Sequence, residues 1–77
     1  MTRKELMYGI LENSTSYKLG QIKVVEEYDD EITVHSINKG AGNTVFFETS
    51  LIAAFENAGL DQYVYYDPKK GTCLRVY

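Results

Sequence analysis

The sequence predicts one α+β domain of order αβββαββ, an antiparallel sheet with two helices packed on one face. Three observations predict it. Two segments near residues 2–12 and 50–59 carry apolar side chains at helical spacing. The stretches between and after them switch to a period of two. Short clusters of turn-forming residues separate the segments. With 77 residues the chain forms a single domain, 1–77, close to the size at which a core can only just hold a fold.

Thr2-Arg3-Lys4-Glu5 matches a capping box, and Leu6, Met7, Ile10 and Leu11 then share one side of a helix. Gly9 is an unfavourable residue inside that helix, so close approach of a neighbouring element is expected there. From Tyr17 the period becomes two. Ile22, Val24 and Tyr28 fall on one face and Lys23, Val25 and Glu27 on the other, with a bulge or bend near Gly20 where Leu19 is out of phase. Asp29-Asp30 forms a tight turn, and Glu31–Asn38 returns as the second strand. Lys39–Asn43 is a looser turn into a third strand at Thr44–Glu48, completing an antiparallel meander. Thr49 or Ser50 caps a second helix with Leu51, Ala54, Phe55 and Ala58 on one side, and Gly59 ends it. Gln62–Tyr66 and Thr72–Tyr77 close the domain as a hairpin turning through Asp67–Gly71, with Pro68 kept out of the strands.

Composition narrows the functional classes. Hydrophobic residues make up 44% of the chain and charged ones 25%, the balance of a globular domain. The net charge of −3 and the scattered basic residues argue against nucleic acid as the main ligand, since phosphate contacts need clustered Lys and Arg. No apolar run reaches the length of a membrane span and no signal core follows Met1. The single Cys73 cannot form an internal disulfide, which fits a reducing compartment, so the expected setting is the cytoplasm.

No constellation supports catalysis, and no cofactor or metal is expected. His35 is the only histidine and Cys73 the only cysteine, and both fall inside strands without the partners that a nucleophile or a closed zinc site requires. Gly40-Ala41-Gly42 is followed by Val45 where a dinucleotide fingerprint needs glycine, and it joins two strands, where phosphate loops lead into a helix. A non-enzymatic binding role is therefore expected.

Two surfaces carry that expectation. Glu26, Glu27, Tyr28, Asp29, Asp30 and Glu31 concentrate five carboxylates and an aromatic ring at one hairpin tip, suited to a partner protein with a basic surface. The same charges would also keep an ordinary turn soluble and discourage edge pairing. The second surface is aromatic. Tyr63, Tyr65, Tyr66 and Tyr77 stand in the last fifteen residues, with Tyr63 and Tyr65 on one face and Tyr66 on the other. Such rings serve protein interfaces or, with Lys69, Lys70 and Arg75, a nucleic-acid surface; alternatively they complete a small core. Self-association through the sheet, giving a homodimer, is a third expectation.

The order helix, three strands, helix over residues 2–58 resembles the double-stranded-RNA-binding domain. That family places lysines at the start of its second helix, where this chain has Ser50-Leu51-Ile52-Ala53, so the likeness stops at element order. In profile, the chain is similar to the small, acidic, tyrosine-rich proteins of phages and mobile elements, some of which inhibit nucleic-acid-binding enzymes. The functional expectation is a protein-binding module, in the form of such an inhibitor, that presents the acidic tip to a basic partner.

Overall fold

The computed structural model describes residues 2–36 and 47–77. Helix α1 (Arg3–Glu12) opens with the capping box: Thr2 Oγ1 accepts from Glu5 N, and the Glu5 carboxylate accepts from Thr2 N. Those contacts hold the Glu5 carboxyl below the usual range, first through the Thr2 backbone and then through its hydroxyl. Met7 and Leu11, one turn apart, are buried, and Leu6 and Ile10 pack beside them.

A second, four-residue helix α2 (Thr15–Lys18) stands where an extended strand is expected from Tyr17. Ser14 caps it, and Gly20 ends it in a left-handed conformation (φ 74°), with Gly20 N bonded to Tyr17 O and Gln21 N to Ser16 O. The bend expected near Gly20 is thus a helix stop, and the first strand, β1 (Ile22–Glu27), starts after it.

Strand β2 (Ile32–Ser36) pairs antiparallel with β1. Of the expected third strand, residues 44–46 lie outside the described residues. Phe47 is buried in the core and Glu48 takes the N-cap position of α3 (Thr49–Asn57), so neither extends a strand. The meander is also corrected, because β2 has β1 on one side and β4 on the other. Leu51 and Phe55 of α3 are buried against the sheet. The helix ends at Gly59 (φ 80°), with Gly59 N bonded to Glu56 O, Leu60 N bonded to Phe55 O, and Leu60 buried beneath the turn.

Strands β3 (Gln62–Asp67) and β4 (Gly71–Val76) form the closing hairpin, and Asp67 accepts from Lys69 N (2.8 Å) and Lys70 N (3.2 Å) to shape its turn. The sheet order is β1-β2-β4-β3, antiparallel throughout. Ile32, Val34, Leu74 and Val76 line its helix side and meet Met7, Leu11, Leu51 and Phe55 in the core. Among the described residues no helix is long and apolar enough to cross a membrane.

Candidate functional site: the sheet face opposite the helices

The first strand is displaced by a bulge. Val24 pairs with Val34, but Glu26, not Val25, pairs with Thr33, leaving one residue extra between them. An uninterrupted period of two would place Tyr28 on the same side as Ile22 and Glu27 opposite. The bulge reverses both. Glu27 pairs with the core residue Ile32 and turns to the helix side, where it accepts a hydrogen bond from Tyr8 Oη and lies 3.9 Å from Lys4 Nζ. Burial, reinforced by that carboxylate, pushes the Tyr8 phenol up to about 12. Glu26 and Tyr28 instead move to the face away from the helices, where Tyr28 Oη donates to Glu26 Oε2 at 3.1 Å.

That face is organised in rows across the strands. In one row Glu26, Thr33, Arg75 and Tyr63 stand side by side, and in the next Lys23, His35, Cys73 and Tyr65. Tyr77, continuing in phase from Arg75, sets its ring edge-on to Tyr63 at 6.0 Å, while Tyr63 and Tyr65 lie tilted at 5.6 Å. The Arg75 guanidinium carbon lies 5.7 Å from the centre of each of these two rings, a cation–π arrangement. Lys70 reaches from the β3–β4 turn to Glu26, Nζ to Oε1 at 2.9 Å, and its carbonyl contacts His35 Nδ1 at 3.0 Å. Lys70 first, then the Tyr28 hydroxyl, lower the Glu26 pKa, and the hydrogen bonds to the Glu26 carboxylate in turn raise those of Lys70 and Tyr28. Beneath this layer Thr33 is only 1% exposed and Cys73 fully buried, although both point away from the helices.

The six-residue acidic tip therefore divides. Glu26 and Glu27 are engaged on opposite faces, and the turn between the strands is closed by Tyr28 N to Glu31 O at 2.8 Å. Asp29 and Asp30 remain exposed and Glu31 half-exposed, with no ion pair to a described residue. The aromatic group divides too. Tyr63, Tyr65 and Tyr77 share the Arg75 face, and Tyr66 projects from the helix side of β3. Because Ile32 pairs with Val76 and Gln62 pairs with Val76 in turn, the acidic turn and Tyr77 lie at the same end of the sheet.

His35 and Cys73 are direct cross-strand neighbours, a placement worth testing as a nucleophile and base. The geometry does not assemble one. Cys73 Sγ is directed to Gly71 O at 3.6 Å, burial pushes its thiol up, and the His35 contact is to the Lys70 carbonyl. His35 Nε2 and Arg75 Nε are buried without a hydrogen-bond partner among the described residues. No group of three or more His, Cys, Asp or Glu among the described residues is placed to hold a metal ion.

The cradle around Arg75 and the Lys70 strap escape a reading of the sequence, since both depend on strand register. Their one local signal is the alternation of Tyr63, Tyr65, Cys73 and Arg75. Comparison with protein-family models, curated proteins and solved structures finds no match.

Proposed function

We propose that this chain is a non-enzymatic protein-binding module whose contact surface is the sheet face opposite the helices, rimmed by Asp29, Asp30 and Glu31. The observation that carries the reading is the bulge in β1. By reversing the phase of the strand it brings Tyr28 onto the face that holds Tyr63 and Tyr77, with the acidic turn at the same end of the sheet. Exposed tyrosines beside an arginine are the composition of an interface centre, and a rim of one charge steers a partner of the other. The partner chemistry that fits is a protein with a basic surface. An inhibitor that occupies the nucleic-acid channel of such a protein, of the kind phages and mobile elements carry, is the role the acidic rim suits. A reducing cytoplasmic setting suits the lone thiol of Cys73.

The competing nucleic-acid reading needs Lys69, Lys70 and Arg75 free to meet phosphates. Lys70 is held by Glu26, and Arg75 lies against Tyr63 and Tyr65 near Glu31, so the same geometry favours a basic protein.

The test compares capture of partners from a host lysate by the wild-type chain, the triple variant Asp29→Lys/Asp30→Lys/Glu31→Lys and the variant Tyr63→Ala. A basic protein held by the wild type should be lost by the triple variant. Affinity should fall about 10-fold or more with Tyr63→Ala, at unchanged circular dichroism. Equal capture by the triple variant would sink the reading. Capture that is insensitive to Tyr63→Ala would confine the site to the turn.

A further inference from the structure

The sheet has two edges of unlike character. β1 carries the bulge at Val25 and an outward lysine, Lys23, both of which discourage strand addition, and it leads into the acidic turn. β3 has an unbroken register with β4 over its whole length, carries neither lysine nor proline, and has β4 as its one strand neighbour among the described residues. Its helix-side residues Val64 and Tyr66 are 51% and 70% exposed, so beyond Gln62, which meets α3, no described helix overhangs this edge.

The hydrogen-bond phase of β3 follows from its first contact. Asp61 and Tyr77 exchange both backbone hydrogen bonds at 2.9 Å. In an antiparallel ladder bonded and non-bonded pairs alternate, so Tyr63, Tyr65 and Asp67 face β4, while Gln62, Val64 and Tyr66 aim their N–H and C=O groups outward. These same three residues carry the helix-side side chains.

We propose that β3 is the docking edge for a second copy of this chain, paired antiparallel about a two-fold axis at Val64. In that register Val64 meets Val64 of the other copy and Gln62 meets Tyr66, which satisfies every outward group through about six hydrogen bonds. On the opposite face Tyr63 stands across from Tyr65 of the other copy, twice, as close non-bonded aromatic pairs. The pairing also puts a tyrosine opposite Gln62, whose Oε1 is buried without a partner while its Nε2 donates to Ile52 O and Glu56 Oε1. Charge is compatible with this edge: pairing through β3 leaves the two β1 strands, with their bulges and acidic turns, at the outer edges of an eight-stranded sheet. Seven interstrand spacings then separate them by roughly 34 Å, several times the Debye length of about 8 Å at physiological salt. The axis stands perpendicular to the sheet, so both helical layers lie on one side and both Arg75 faces on the other.

Sedimentation equilibrium of the wild-type chain should show a reversible dimer. Val64→Pro removes an outward N–H while leaving the β3–β4 ladder whole, so it should yield a folded monomer. If that variant fails to fold, Val64→Lys decides, because it keeps every N–H but sets two ammonium groups face to face; dissociation should weaken affinity at least about 10-fold. Val64→Cys should cross-link spontaneously under mild oxidant, since the Cα separation of a bonded pair suits a disulfide. A wild-type monomer at all concentrations overturns the proposal, whether or not it takes up a foreign extended peptide. So does a dimer unaffected by Val64→Pro and Val64→Lys. None of these results bears on the charge-reversal test of the opposite face.

Discussion

Gly9 shows how a residue can depart from an expectation that is sound in principle. A glycine within α1 costs helix stability, and close packing by a neighbour would explain its presence. The structure gives no such neighbour: Gly9 is exposed and a Cβ built there meets nothing within 4 Å. Its carbonyl accepts from Asn13 Nδ2 at 3.0 Å, a bond that alanine would preserve. Gly9→Ala should therefore stabilise the chain by up to about 1 kcal/mol, read as a rise in the urea midpoint at unchanged slope. Thr2 and Glu5 illustrate the opposite case. Their reciprocal bonds span three residues and need nothing beyond the segment, so the sequence alone foretells them. Tyr28 lies between the two cases. Its identity as an exposed aromatic is legible, but the face it occupies is decided by one unpaired residue, Val25, whose insertion depends on how β2 docks.

At the scale of elements, local signals identify those whose ends are set by their own residues. The β3–β4 hairpin is one, because Asp67, Pro68 and Gly71 supply its turn chemistry, and the Gly59 stop of α3 is another. The start of α3 is not local. Thr49 and Ser50 have the right chemistry for an N-cap, but Glu48 holds that position and its carboxylate serves a different helix. Glu48 Oε1 accepts from Ser14 Oγ at 2.7 Å and Ser16 N at 2.6 Å, tying the α3 entrance to the first turn of α2. Ser14 first, then the Ser16 backbone, hold its carboxyl at about 2. A pKa lowered by folding contributes stability above the ordinary value of 4.5, and that contribution drains away as pH falls towards 2. Glu48→Gln keeps an acceptor oxygen and removes the charge. It should cost about 1–2 kcal/mol at pH 7, after discounting for partial solvent screening. Urea unfolding of variant and wild type should converge between pH 4.5 and 2; a gap that persists at the acid end would remove Glu48 as the linkage.

For the whole molecule, alternation and helical spacing foretell the α+β class, the antiparallel sheet and the single helical layer, since each follows from which residues must leave water. Strand order is different. It places Glu26, Arg75 and Tyr63, far apart in the chain, in one row, and no local pattern states it. The layering that results also departs from a sheet buried on one side and wet on the other. β2 and β4 are sealed beneath by Ile32, Val34, Leu74 and Val76, and Thr33 and Cys73 are sealed above by the Lys70 strap and the Arg75–tyrosine cluster. The centres of both inner strands, at Thr33 and Cys73, are thus buried on the second face as well, while His35 and Arg75 beside them stay half-exposed. In amide hydrogen exchange, measured at dilution, the Thr33–His35 and Cys73–Arg75 backbone should be released only by global unfolding. The outward amides of Gln62, Val64 and Tyr66 should exchange through the native state. Uniform protection across the four strands would contradict that order, and slowed exchange at those three amides on raising the concentration would map the seam itself.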